Sequence, residues 1–221
     1  MDINNPLFYD KKDVHLEIIS DTHFRNVTIK DMINNLNQYI KRKSIYLKNY
    51  LKDSNVKTII NNGKIIEKRT ISRDSYKILC ASGDICSMEQ LIPFLNFVIN
   101  CYDHVFFIPG NHEYYYNDMD QVNSFLIKVN NMYNNLTIFT PDITHIFLFN
   151  DLIIFGATLW TYVKDKFKDK VLKSNTYNKI KKNGSKLKIE DTNKLHKESV
   201  SKLTELMSYN IPIIVMTHHQ P

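Results

Sequence analysis

Val105-Phe-Phe-Ile-Pro-Gly-Asn-His-Glu113 is an apolar run that stops at Pro109-Gly110 and then presents Asn111, His112 and Glu113. Four apolar residues closed by Pro-Gly suit a short strand covered on both faces, as in a parallel sheet. Polar side chains directly behind such a strand sit at the carboxyl edge, where open α/β folds place their chemistry. The same grammar recurs three times. Leu16 to Ser20 leads into Asp21 and His23, Tyr76 to Ser82 into Gly83-Asp84, and Ile211 to Thr217 into His218 and His219. Four strand ends carrying carboxylate, amide and imidazole groups point to one metal site.

The chain has 221 residues, which favours one domain with a substantial core, and 43% of them are hydrophobic, which supports a globular fold over disorder. No apolar run is long enough to span a bilayer, and Met1 to Asp13 is too polar for a signal peptide. Cys80, Cys86 and Cys101 match no zinc spacing and read as reduced thiols in an intracellular, cytoplasmic protein. Few glycines beside abundant Asn, Ile, Lys and Tyr fit an AT-rich genome, such as that of a large DNA virus or a protist. For a virus the compartment would be the host cytoplasm. A net charge of +6 favours anionic partners, although a lysine-rich solvated surface is the plainer reading of that charge.

In order, the motifs D-x-H (Asp21, His23), G-D (Gly83, Asp84), G-N-H-E (Gly110 to Glu113) and T-H-H-x-P (Thr217 to Pro221) resemble those of the calcineurin-like metallophosphoesterases. Phe155-Gly-Ala-Thr-Leu-Trp-Thr161 resembles a segment of a branch of small, uncharacterised phosphohydrolases in that family. The resemblance spans Leu16 to Pro221. It implies a four-layer α/β/β/α sandwich of two mixed sheets flanked by helices, with metals at the carboxyl ends of the strands. The family's closing G-H-x-H does not occur in this sequence, so the C-terminal part of the fold is expected to be missing. A fragment of a longer chain is the favoured explanation, ahead of a partner that completes the site or a decaying gene.

Along the chain, Thr28 to Tyr50 has helical periodicity, and Asn62-Gly63 marks a hairpin between Val56–Ile60 and Lys64–Ile71. Residues 41–75 therefore read as an insertion in a single domain covering 1–221. Helices are expected over Ser87–Cys101, starting late because of Pro93, and over Asp118–Tyr133, with Val122, Phe125, Leu126, Val129 and Met132 inward. Ile143–Phe149 and Leu152–Leu159 read as a hairpin of the second sheet. Lys164 to Lys188 carries ten lysines and reads as a long, mobile loop with frayed helix. Asp191 or Thr192 is expected to cap a helix that feeds the last strand.

A phosphoester resists attack because its oxygens repel nucleophiles and its leaving group is poor. Two cations would neutralise those oxygens and acidify a shared water to a bridging hydroxide. Asp84 is the expected bridging ligand. Asp21 and His23 would join it in one site, and Asn111 and His218 in the other. Manganese, iron or zinc each suit this oxygen and nitrogen set. By the resemblance, His112 is not a ligand but contacts the phosphate, stabilising the transition state or protonating the leaving oxygen. Glu113 is expected to hold an imidazole in place, and His219 to point away from the site. Taken singly, Asp21 could cap a turn, His23 lie on the surface, Gly83-Asp84 form only a turn and Asn111 supply loop geometry. Their common register behind four strands favours one site.

The expected function is metal-dependent hydrolysis of a phosphomonoester or phosphodiester. A nuclease of the same fold is an alternative, with nucleic acid a less favoured partner; it would need lysines of 164–188 along the metal cleft. A catalytically inactive scaffold that binds another protein is a second. No membrane partner is expected.

Overall fold

The computed structural model describes residues 13–23, 44–47, 56–61, 64–70, 75–148 and 152–220. Its frame is a five-stranded sheet built from β1 (Asp13–Ile19), β2 (Ser44–Leu47), β5 (Ser75–Ser82), β6 (His104–Ile108) and β7 (Leu136–Ile138) in the order β2-β1-β5-β6-β7. β1, β5, β6 and β7 run parallel, and β2 lies antiparallel on the edge of β1. β3 (Val56–Asn61) and β4 (Lys64–Thr70) pair antiparallel around residues 62–63, as the Asn62-Gly63 signal predicts. A second sheet has β8 (His145–Leu148), β9 (Leu152–Ala157) and β12 (Ile213–Thr217) in the order β12-β9-β8, with β9 and β12 parallel.

The layers follow from side-chain alternation along strands buried on both faces. On β5 and β6, Ile78, Cys80, Phe106 and Ile108 meet Leu152, Ile154 and Met216 of the second sheet. Leu79, Ala81, Val105 and Phe107 face the opposite way, onto helices Met88–Cys101 and Met119–Asn130. Ile153 and Phe155 pack on Leu203 and Leu206 of the Ile189–Met207 helix. The result is the expected helix–sheet–sheet–helix sandwich.

Several local expectations are corrected. Ser44–Leu47 is strand, not helix, because its backbone pairs with β1; residues 28–43 and 48–50 of the expected helix lie outside the described residues. The first long helix begins at Met88, a full turn before Pro93. The missing N–H costs one helical bond, and burial of Leu91, Phe94, Leu95, Val98 and Ile99 outweighs it. Phe125 and Met132 are exposed, and the second helix stops at Asn130, so Met132 lies outside it. The lysine-rich stretch is built rather than loose. It contains helices Lys168–Val171 and Asn175–Lys179 and the ribbon β10 (Lys181–Lys182) and β11 (Ser185–Lys186), and it buries Tyr177, Ile180 and Leu187 against the main core. Its lysine count hid these anchors. Lys188 occupies the N-cap of the following helix, where its N–H donates to Asp191 at 3.0 Å, so Asp191 acts from inside the first turn. Among the described residues, no helix is long and apolar enough to cross a membrane.

Candidate metal centre

The carboxyl ends of four strands, β1, β5 and β6 of the first sheet and β12 of the second, deliver the site, and backbone bonds lace the loops of β1 and β5 together. Asp21 N–H donates to Gly83 O at 3.0 Å and His23 N–H to Asp84 O at 2.9 Å. Asp21, His23, Gly83 and Asp84 all take left-handed φ values, between 48° and 81°. Gly, Asp and His are among the residues that tolerate this region best, so the chain can fold back beneath the site here.

Glu113 is the anchor of the floor. Its side chain is fully buried, and its carboxylate accepts the N–H groups of Asp84 (2.9 Å), Ile85 (2.7 Å), Cys86 (3.2 Å) and Gly110 (2.7 Å). It therefore clamps the loop after β5 to the loop after β6 and does not hold an imidazole, which corrects the expectation from sequence. Burial, and then the charge of Asp84, raise its pKa to about 7, while the bonds from Asp84, Gly110 and Ile85 pull it down. The two glycines of this floor have no room for a side chain. A Cβ at Gly83 would stand 2.5 Å from His218 Nδ1, and one at Gly110 would stand 2.2 Å from Asp84 Oδ1.

Above that floor the residues singled out from sequence come together. Two groups could hold a cation, each with ligand atoms within 4.8 Å of one another: Asp21, Asp84 and His218, and His23, Asp84 and His112. Asp84 belongs to both. Asp21 and His23, expected together from sequence, fall in different groups, and His112 lies beside His23 and Asp84 in the second. Asp84 Oδ1 lies 3.4 Å from His218 Nε2, and Oδ2 lies 3.6 Å from His112 Nε2. The His112 ring is flanked by those of His23 at 4.6 Å and Tyr115 at 4.3 Å, and the backbone N–H of His112 donates to Asp84 Oδ1 at 2.9 Å.

The hydrogen-bond pattern fixes which atoms face inward. His218 Nδ1 lies 3.1 Å from Ser82 O, which can only accept, so Nδ1 carries the proton and Nε2 of the neutral ring has a lone pair. That lone pair faces Asn111 Oδ1 at 3.1 Å and Asp84 Oδ1 at 3.4 Å. Asn111 is held in this orientation because its Nδ2 donates to Tyr115 OH at 2.9 Å and to Thr176 Oγ1 at 3.2 Å. In the neutral ring three lone-pair-bearing atoms thus converge. A set of nitrogen and oxygen lone pairs of this kind suits a cation.

His219 does not point away from the site. Its Nε2 is 3.5 Å from Asn111 Oδ1, its Nδ1 accepts Thr161 N–H at 3.2 Å, and its ring meets Trp160 edge-on. Burial, then the neighbouring His218, depress its pKa to about 4, so it stays a neutral wall residue. The Phe155–Thr161 segment supplies that wall: Thr158 Oγ1 donates to Pro109 O at 2.7 Å, and Thr158 O accepts His219 N–H at 3.0 Å. Tyr115 and Thr176 were not singled out from sequence. The four-residue spacing from Asn111 to Tyr115 is a usable signal, whereas Thr176 stands 65 residues from Asn111 and carries none. Of the lysines in 164–188, Lys168 is paired with Glu190 and Asp165 and Lys182 with Asp120, while Lys179 lies beside Tyr115.

The calcineurin-like phosphoesterase family model matches residues 16–221. An uncharacterised protein of Acanthamoeba polyphaga mimivirus is 32% identical over 156 residues, covering 65% of this chain and 55% of the relative. The chain thus spans about half the length of that relative. No solved structure matches it.

Proposed function

This chain belongs to the calcineurin-like phosphoesterase family, and we propose that it hydrolyses a phosphomonoester or phosphodiester at a two-cation centre built around Asp84. The observation that carries this reading is the convergence of His218 Nε2, Asn111 Oδ1 and Asp84 Oδ1, the two oxygens at 3.1 and 3.4 Å from the imidazole nitrogen, behind strand ends that also bring in Asp21 and His23. That donor set, mixed nitrogen and oxygen with one carboxylate common to both groups, suits manganese, iron or zinc. Asp21, His23, Asp84, Asn111 and His218 would hold the ions. Divalent cations bound there would supply charge neutralisation at the phosphoryl oxygens and a water nucleophile active near neutral pH.

The protein's own groups do the rest. Asp84 presents one oxygen toward each group, and its position is set by the Glu113 clamp on its own N–H. Tyr115 and Thr176 keep the Asn111 oxygen turned inward. His112, held between the rings of His23 and Tyr115, directs Nε2 to the same edge and would meet the phosphate there, stabilising its charge or handing a proton to the leaving oxygen.

The test is a calorimetric titration with manganese followed by turnover of p-nitrophenyl phosphate and bis-p-nitrophenyl phosphate. Two bound ions and metal-dependent turnover are expected. Asp84→Asn is expected to abolish both while the circular-dichroism spectrum is retained, and His112→Ala to keep the ions and lose most turnover. A folded protein that binds no manganese, iron or zinc would overturn the reading in favour of a scaffold.

A further inference from the structure

From the metal centre an aromatic run continues outward to Tyr116, a ring that has no part in the hydrolytic reading. Rings of His23, His112, Tyr115 and Tyr116 follow one another at 4.6, 4.3 and 6.3 Å, leading from the ligand cluster to solvent. Tyr116 ends this run and is 74% exposed. Its φ is +67°, a left-handed region in which a tyrosine is strained and which Gly or Asn would occupy with less strain. An exposed ring recovers little of that cost by burial, so stability does not explain a tyrosine here.

The loop is held firmly in this conformation by the lysine-rich segment. Tyr116 N–H donates to Lys179 O at 2.7 Å, and Lys181 N–H donates to Asn117 O at 3.0 Å. The Lys179 side chain then returns over the tyrosines, with Nζ at 5.2 Å from the ring centroids of both Tyr115 and Tyr116. No carboxylate pairs with Lys179 among the described residues. A flat ring and a cation with no carboxylate partner among the described residues therefore stand together, two ring steps from His112. An ester bound with its phosphate at the cluster and its organic group directed outward would lay that group on Tyr116.

We propose that Tyr116 and Lys179 form a subsite for a planar aromatic group carried by the phosphoester, with Tyr116 stacking on the ring and Lys179 facing the anionic part of the same molecule. This rests on the proposed hydrolytic reading for the position of the phosphate. The ring could be a nucleobase or a simple aryl group. Stacking on one aromatic side chain supports roughly tenfold to hundredfold tighter binding, and the cation a few-fold more. The effect belongs in KM, since neither residue touches the reacting atoms.

The test compares adenosine monophosphate, phenyl phosphate and glycerol 3-phosphate on the wild type, Tyr116→Asn and Lys179→Gln. Asn suits the left-handed backbone, so the first variant removes the ring without adding strain. Expected for the wild type is a KM for at least one aromatic ester roughly tenfold or more below that for glycerol phosphate. Tyr116→Asn should erase the preference at unchanged kcat, and Lys179→Gln should weaken all three. Which aromatic ester leads distinguishes nucleobase from aryl. Equilibrium dialysis of the same ligands against the same proteins reads the subsite without turnover, so an inactive protein with an aromatic preference that depends on Tyr116 would sink the hydrolytic reading and keep this one. Equal binding of the three ligands by the wild type, or a preference that survives Tyr116→Asn, would overturn the proposal.

Discussion

Gly110→Ala separates steric exclusion at the site from ordinary backbone strain. A methyl group there would lie 2.2 Å from Asp84 Oδ1, 2.5 Å from Asp84 N and 2.9 Å from His218 Nε2. The first contact is roughly 1 Å short of van der Waals separation, and the second is to backbone, which cannot swing aside. Overpacking of this kind costs about 1–3 kcal/mol. Movement of Gly110 also weakens its N–H bond to Glu113, a charge-assisted bond of 2.7 Å, with a contribution of roughly 1.5–3 kcal/mol. Restricting the unfolded chain returns about 0.4–1 kcal/mol. The net expectation is a loss of about 2–5 kcal/mol in urea unfolding. Displacement of Asp84 should lower manganese affinity on the order of 100-fold. Gly184 provides the control: its φ is +73° and nothing lies within 4 Å of its Cβ direction. Gly184→Ala should cost about 1–2 kcal/mol through strain alone and leave manganese affinity unchanged. If Gly110→Ala unfolded within 0.5 kcal/mol of wild type (about the range of a neutral surface change) and bound manganese normally, the close packing argued for this floor would be wrong.

Thr176→Val removes one of the two acceptors that orient Asn111 and should weaken manganese binding by roughly 2- to 12-fold by calorimetry, with a small fall in melting temperature. Equal affinity would mean that Tyr115 alone sets the amide. Glu113→Ala strips four buried N–H donors of their acceptor, and each should cost about 1–3 kcal/mol, so a large fall in the urea midpoint or failure to fold is expected; a midpoint near wild type refutes the clamp. Native protein should react with a thiol reagent at Cys101 alone, because Cys80 and Cys86 are buried and burial pushes the Cys80 thiol up to about 12 and Cys86 higher still. Three thiols should react once the chain is unfolded. His145 is half-buried, and burial, then Lys202, lower its pKa, with Glu205 opposing. The unfolded chain therefore takes up a proton at His145 before the native one does. Its share of stability is complete above about pH 6.5 and declines as pH falls toward the depressed native value. Melting temperatures between pH 5 and 8 should fall less steeply on the acid side in His145→Gln, and identical slopes would count against this assignment.

The strands that build the site were legible in the sequence because their signal is local. An apolar run such as Val105–Ile108, stopped by Pro-Gly, has few alternatives to a doubly covered strand, and the polar residues behind it have no other place to go. Motif order alone also gathered Asp21, His23, Asp84, Asn111, His112 and His218 into one site. What sequence could not supply was orientation. Glu113 looked like a partner for an imidazole, but backbone N–H groups from two neighbouring loops reach it first, a contact created only when β5 and β6 pair. The lysine-rich segment read as loose because periodicity does not register Tyr177, Ile180 and Leu187, whose burial depends on a core contributed by distant residues. The inward face of Asn111 was decided the same way, by Thr176 across 65 residues of chain. Local pattern, then, determined which residues lie at the strand ends. Tertiary packing decided which atoms face one another, because hydrogen-bond direction depends on partners that are neighbours only in space.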